Sequence, residues 1–294
     1  MLFLVSLIHF LMGCAPEGSP EFQRQFALPE GYQIYVSDVP NFDQPSWKIF
    51  RYDHNGENPV VFTEEELAWP QDLVFLEDKG EVLISNLNSG KINRHNSTTG
   101  AFIATFASEI SGPTRTKIGP DGLLYVLQWA GDGKVLRYNL DGTKVDAFTD
   151  TGIPQSIGLD WDHSGNLYVS SFQNNQVIKF DTQGRSQGVF TADGNTQGPT
   201  NIWFNAAGDL MVNDWKAGKV VTFDASGQFL ATFATGLSQV EGVSELDDGS
   251  LLIGNGGTGA VKLFDADGNF IEDFVPSGSG GLGKPNAVIV RKVN

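Results

Sequence analysis

An Asp/Asn-x-x-Gly pattern recurs six times along the chain. The copies are Asp53–Gly56, Asn96–Gly100 (with one extra residue), Asn139–Gly142, Asp181–Gly184, Asp224–Gly227 and Asp265–Gly268. Successive closing glycines lie 44, 42, 42, 43 and 41 residues apart. So regular a period means repeated supersecondary units, each of which buries its apolar faces only by stacking on its neighbours.

The unit itself is all-β. In residues 153 to 190, four short runs rich in Val, Ile, Leu, Tyr and Phe alternate apolar with polar residues: Ser156–Trp161, Asn166–Ser170, Gln176–Phe180 and Gln187–Phe190. Alternation bounded by turn clusters predicts antiparallel strands. The first two strands of each unit are joined by a second set of turns, Asp78-Lys79-Gly80, Pro120-Asp121-Gly122, His163-Ser164-Gly165, Ala206-Ala207-Gly208 and Asp247-Asp248-Gly249. The opening pattern joins the third and fourth strands. Gly supplies the positive φ of a tight hairpin, and Asp or Asn bonds its own backbone there. Asp265-Ala266-Asp267-Gly268 resembles the start of a calcium-binding EF-hand loop, but the twelfth position is Pro276 rather than Glu, so the pattern reads as a turn.

Four-stranded units repeating every ~40 residues predict a β-propeller. The ends set the blade count. Pro29-Glu30-Gly31 is a partial copy of the first turn, followed by a strand at Tyr32–Val36, and Ala287–Arg291 is an orphan first strand. Pairing the C-terminal strand with the strands between Tyr32 and Thr63 completes a sixth blade and removes an exposed sheet edge. The expected fold is therefore an all-β, six-bladed propeller over residues 29–294, with no second domain.

Ahead of it stands MLFLVSLIHFLMGCAPEGSP. The apolar run is too short to span a bilayer and reads as a signal h-region over residues 1–13. Leu11-Met12-Gly13-Cys14 looks like a bacterial lipobox, with Cys14, the sole cysteine of the chain, as the lipidated residue. By resemblance to Gram-negative lipoproteins, Ala15 after the cysteine implies sorting to the outer membrane. Residues 14–28 are then a tether, and the propeller is periplasmic or surface-exposed, held to the membrane through its lipid alone. It is expected to be a monomer.

A net charge of −16 argues against nucleic acid, whose phosphates need a basic surface. Of the histidines beyond the leader, His54 and His163 sit in turns and His95 by a third strand, which leaves no histidine base or metal cluster. Neither a nucleophile-elbow motif nor a phosphate loop is present.

A propeller lines its central channel with the first strand of each blade, and a pocket at the mouth is the default ligand site. Five units open with a proline, replaced by Val240 in one. The residues after it are Gln71, Thr114, Gln155, Thr200, Glu241 and Asn286, and next to these Asp72, Arg115, Ser156, Asn201, Gly242 and Ala287. At the ends of the second strands lie Asp38, Asn86, Gln128, Ser171, Asp214 and Asn255. Trp129, Phe172 and Trp215 share one loop position after the second strand in consecutive blades, and Trp47 ends the long loop Pro40–Trp47. Aromatic rings there can stack on a sugar ring or anchor a partner.

The core of the unit, proline, apolar run, D-x-x-G-N-L-Y-V and x-V-x-K-F-D-x-x-G, resembles the NHL-repeat type of six-bladed propeller. Pro154 to Gly184 matches best. Such propellers include protein-binding scaffolds, lyases and the related senescence-marker/gluconolactonase hydrolases. In the last group a divalent cation is held by a Glu, amides and an Asp. The resemblance implies Glu241, Asn201, Asp214 and Asn286 for those roles, and oxygen donors of this kind suit a hard cation such as calcium. Where that family has an Asn-Asp-Gly segment, Pro113–Gly119 carries Thr114 and Arg115 instead. Two functions are thus expected. One is a lipid-anchored propeller that binds a small molecule or protein at its mouth through Asp72, Arg115, Gln155, Trp129, Phe172 and Trp215. The other is a calcium-type hydrolase of lactones or related esters, with a metal-bound water as nucleophile.

Overall fold

The structure, a computed structural model, describes residues 26–191 and 194–293. The leader and Cys14 lie outside the described residues. Six four-stranded antiparallel sheets form the ring. Blade 1 joins Pro285–Lys292 to Tyr32–Asp38, Lys48–Tyr52 and Val60–Thr63. The closing pair is antiparallel, with Ile34 opposite Val290 and Val36 opposite Val288. The first strands of blades 2 to 6 are Pro70–Leu76, Pro113–Ile118, Ser156–Trp161, Pro199–Phe204 and Val240–Glu245. The expected six-bladed propeller closed through its C-terminal strand is what forms.

The core is divided among the six blade interfaces. Ile34, Phe50 and Tyr52 of blade 1 pack on Leu252, Leu263 and Phe274 of blade 6. Blades 2 and 3 meet through Leu83, Ile92, Leu124 and Val126, and equivalent clusters fill the other four junctions. A blade packed on both faces needs second strands without a solvent side. Leu124–Gln128, Leu167–Ser171, Leu210–Asp214 and Leu251–Asn255 are buried at every residue. Fourth strands form the outer wall and stay largely exposed, as Lys144–Ala147 does.

The periodic glycines do more than turn the chain. The leading Asp takes up the turn's amides: Asp181 Oδ1 accepts from Gln183 N and Arg185 N at 2.9 Å each, and Asp224 and Asp265 do the same in their turns. A Cβ on the closing glycine would strike the neighbouring blade. At Gly56, Gly100, Gly142, Gly184, Gly227 and Gly268 it would overlap the carbonyl oxygen of Phe274, Phe62, Phe106, Phe148, Phe190 and Phe233 respectively. All six have positive φ. The turn glycine is thus where one blade rests on the next, which explains why glycine is required on two counts.

Candidate functional site

Hydrogen bonds between adjacent first strands fix the channel wall. Thr114 Oγ1 donates to Ser156 O at 2.7 Å and Thr200 Oγ1 to Val240 O at 2.8 Å. Second-strand side chains reach the next blade in the same way, Ser85 Oγ to Thr114 O and Ser170 Oγ to Thr200 O at 2.7 Å each. Glycine admits the closest approaches: a Cβ on Gly242 would lie 2.6 Å from Val288 N.

At the loop face the channel opens into a small cup of about 170 Å³. Its floor is Gln71, Ile157, Thr200 and Glu241, and its walls are Phe42, Trp69, Trp129, Phe172 and Trp215. The five rings come from five different blades, and all are half-buried. Phe42 stacks on Trp69 with centroids 4.4 Å apart. Phe172 lies 5.9 Å from Trp129 and 6.0 Å from Trp215. Lys216 and Lys284 lay their ammonium groups over Phe172 and Phe42, at 4.5 and 4.4 Å.

The structure brings together Trp129, Phe172 and Trp215 and adds two rings that the sequence reading passed over. Trp69 sits immediately before a blade-opening proline, and Phe42 comes from the loop in which Trp47 had stood out. Trp47 donates its indole N–H to Asn41 O at 2.7 Å within that loop. Gln155 is displaced from its expected position. Ser156, not Pro154, takes the register of Pro113 and Pro199, since it pairs with Ser171 as they pair with Gln128 and Asp214. Gln155 therefore precedes the strand at φ 49°, and Ile157 occupies the inner ring. The register position of the proline thus falls two residues after Pro154, at Ser156, which causes the offset. Gln155 and Trp129 together line a neighbouring surface pocket.

Beneath the cup lies an ionic plug. Arg115 crosses the channel and donates to Gln71 O, to Glu241 Oε1 at 3.2 Å and to Asn286 O at 3.0 Å. Asp72 Oδ1 is 3.7 Å from its guanidinium, and Asp72 Oδ2 accepts from Thr116 N at 2.9 Å. Asn286 Nδ2 donates to Glu241 Oε1 at 3.3 Å. The Gln71 amide satisfies its neighbours by donating to the same oxygen at 2.9 Å and accepting from the Trp69 indole. Arg115 is only 3% exposed and Glu241 7%. Burial pushes the Glu241 carboxyl up to about 7, with Asp72 adding to the rise and Arg115 and Asn286 opposing it. Burial likewise raises Asp72 against the pull of Arg115.

The ring at the ends of the second strands is a set of latches. Each member bonds the segment leading into its own blade: Asn86 Oδ1 accepts from Ala68 N, Gln128 Oε1 from Ser111 N and Asn255 Oδ1 from Ser238 N. Asp38 Oδ1 accepts from Gly283 N and Lys284 N, and Ser171 Oγ donates to Pro154 O. Asp214 uses Oδ2 for Gln197 N at 2.7 Å and Oδ1 for Ala217 N at 3.0 Å. These bonds bear on the cation set. Asp214 spends both oxygens on backbone amides, Asn286 turns its nitrogen toward Glu241, and the Arg115 cation already contacts that carboxylate. Asn201 lines a different cavity, and its Oδ1 accepts from Ile202 N at 3.1 Å. As arranged, the four do not present converging oxygens to a divalent ion, which takes six to eight oxygen ligands as calcium. Among the described residues no group of three or more His, Cys, Asp or Glu side chains is placed to hold a metal.

On the other side of the plug the channel widens into a cavity of about 550 Å³, open at the opposite face. Leu73, Leu159, Ile202 and Val243 form part of its wall, and Asp72, Arg115, Lys117, Asp160, Asn201 and Glu245 supply its polar groups. Lys117 Nζ bonds Asp160 Oδ1 at 2.6 Å, and Asp160 Oδ2 accepts from Phe204 N at 2.9 Å. Lys117, Asp160 and Glu245 stand in the second halves of the first strands, beyond the opening positions that the sequence comparison aligned.

No protein-family model matches the chain, and no curated protein matches it in sequence. Solved structures match in fold. A protein of unknown function from Bacteroides caccae superposes with a TM-score of 0.68 at 18% identity, over 88% of this chain and 98% of that one. A chain of a nidogen–laminin complex gives 0.72 at 17% identity with the same coverage. A virginiamycin B lyase from Staphylococcus aureus gives 0.55 at 16% identity, over 69% of this chain and 68% of the lyase. Identities this low establish the propeller architecture and leave function to the site.

Proposed function

We propose that the chain is a lipid-anchored, extracytoplasmic binding propeller of the NHL-repeat type, whose aromatic cup holds one ring or side chain of a small molecule or protein partner. The cup carries this reading: five half-buried rings from five blades converge on one polar floor. Apolar surface gathered in one concave mouth around a few polar groups is the default place for a ligand. Aromatic faces with hydrogen-bonding groups beneath them suit a sugar, an aromatic ring or an inserted side chain. A volume of about 170 Å³ is below that of drug-sized pockets, roughly 300–1,000 Å³, so only part of a larger ligand enters. The lipobox-like Leu11–Cys14 supports anchoring, and Ala15 supports the outer membrane. The arrangement of Arg115, Asn286 and Asp214 described above weighs against the hydrolase.

Two experiments test the proposal. Thermal-shift screening with soluble saccharides and small aromatic compounds should yield ligands whose stabilisation is lost in Phe172→Ala and Trp215→Ala. Ligands indifferent to both substitutions would remove the cup from the reading. Separately, cell fractionation should place the wild-type chain in the membrane pellet and Cys14→Ser in the soluble fraction, and identical partitioning would remove the lipid anchor.

A further inference from the structure

The aromatic wall of the cup is broken at one blade, and a lysine stands in the break. Trp129, Phe172 and Trp215 each follow the last residue of a second strand, and each donates its backbone N–H to the residue just before the first strand of its blade. Blade 6 repeats the arrangement with Gly256, which follows Asn255 and donates to Gln239 O. Glycine thus holds the place of a ring. A Cβ there would lie 3.2 Å from Lys284 Cγ, so the Lys284 stem runs through space that a side chain would claim. Its ammonium ends 4.4 Å over the Phe42 ring. Blade 5 uses the same device. A Cβ on Gly198, just before the first strand, would lie 2.9 Å from Lys216 Cγ. The Lys216 ammonium ends 4.5 Å over Phe172. Lysine stems pack on such surface while the charged head stays in water.

Neither ammonium is neutralised. Lys48, Lys117, Lys179 and Lys262 meet carboxylates. Among the described residues Lys216 and Lys284 have no carboxylate and no hydrogen-bond acceptor, only their ring faces. Lys216 is exposed and Lys284 half-buried. In a chain with 35 acidic residues against 19 basic ones, two free ammonium groups on the walls of one cup reverse the sign of the surface locally. Phe42 belongs to blade 1 and Phe172 to blade 4, so the two charges flank the mouth from opposite sides of a six-bladed ring. The one acid lining the cup, Glu241, opposes them little. Its Oε1 is met by Arg115 and Asn286, and burial raises its carboxyl to about 7, so at neutral pH only part of it is charged. An ammonium over a ring face still has N–H donors to offer, and an anion at the rim satisfies donors from both sides.

We propose that the ligand of the cup carries an anionic substituent on its ring, a carboxylate, sulfate or phosphate, which Lys284 and Lys216 hold at the rim while the ring sits among the aromatic walls. The inference rests on the cup being the binding site and names the class of ligand it takes: an acidic sugar or an aromatic acid, in preference to a neutral ring. Blade 6 gives up its own ring at Gly256 so that one side of the mouth is cationic.

Calorimetric titration of the full-length chain with ring-matched probes tests it. Benzoate, phenyl sulfate and phenyl phosphate are compared with benzamide, and glucuronate and glucose 6-phosphate with glucose. In at least one series an acidic probe is expected to bind tighter than its neutral partner by roughly fivefold or more, the worth of two exposed charge contacts. Added salt should remove most of that preference. Lys284→Gln and Lys216→Gln should each lower the acidic probe toward its neutral partner and leave the neutral partner unchanged, and unchanged melting temperatures would verify that both variants fold. The proposal is overturned if no acidic probe binds tighter than its neutral partner, or if the preference survives both lysine substitutions. In either case, probe binding that Phe172→Ala abolishes would still keep the cup as the site, so failure of the proposal and failure of the cup reading are told apart.

Discussion

Glu241 gives this propeller a pH dependence of unusual sign. Its carboxyl is raised from an ordinary 4.5 to about 7, because it is buried under the cup and its ionised form loses more hydration than Arg115 returns. A shift of that size corresponds to about 3 kcal/mol. The folded state binds this proton more tightly than the unfolded chain does. The stability it contributes is therefore fully present below 4.5 and is lost as pH rises through about 7. Glu241→Gln removes the titration while keeping an oxygen for Arg115 Nη2 and Asn286 Nδ2. Subtracting the wild-type stability from that of the variant cancels the carboxylates of the outer turns, such as Asp224 and Asp265, which are shifted the other way. Between about pH 5 and pH 8 the difference should rise by about 3 kcal/mol in favour of the variant, opening a gap of roughly 5–10 °C in melting temperature. Thermal unfolding followed by circular dichroism at each pH reads this directly. A difference that stays flat across the window refutes the argument that Glu241 is buried, protonated and opposed by Asp72.

Three further outcomes follow from the same geometry. Gly100→Ala forces a Cβ into the Phe62 carbonyl at φ +77°, whereas Gly80→Ala at φ +64° meets nothing within 4 Å. Urea denaturation should show a loss of roughly 3 kcal/mol or more for the first and about 1 kcal/mol for the second, and equal losses would contradict the blade-contact role of the turn glycine. Arg115→Met strands Asp72 and Glu241 without a cation and should cost about 3–5 kcal/mol near pH 8. The loss should shrink as pH falls through about 7, where Glu241 takes up its proton, so a pH-independent loss would count against the plug. Asp214→Ala leaves Gln197 N and Ala217 N without their acceptor and should cost about 1–3 kcal/mol. Added calcium should not restore its melting temperature, and restoration would return Asp214 to a metal site.

The architecture was legible because it repeats. Phe62, Phe106, Phe148, Phe190 and Phe233 recur at 44, 42, 42 and 43 residues, the intervals of Gly56, Gly100, Gly142, Gly184 and Gly227, and the glycine that closes the next turn lies against each of their carbonyls. A contact made once per blade leaves its period in the sequence twice. The site was less legible because a binding site in a propeller is where equivalent positions stop being alike. Counting from the proline placed Gln155 in the inner ring, but the strand of that blade starts two residues later, at Ser156, and puts Ile157 there instead, an offset that the pairing of Ser156 with Ser171 makes plain. Trp129, Phe172 and Trp215 were recognisable because they share a loop position. Phe42 and Trp69 reach the same cup from different kinds of loop, so no alignment of repeats would have joined them.

The plug lies further beyond such an alignment. Arg115 looked out of place beside the expected cation ligands, and its long side chain resolves the conflict by becoming the cation itself. One guanidinium meets the Glu241 and Asp72 carboxylates and two backbone carbonyls from across the channel. A fixed positive charge there divides the channel into two chambers with different linings, aromatic above and acid-rimmed below. Arg115 belongs to both chambers, since its Nη atoms bond groups of the cup floor and the residue also lines the lower cavity. A ligand that displaces the guanidinium from either side would disturb the partner of Glu241. Such a ligand would change the protonation of Glu241 by the same factor as that protonation changes its own affinity.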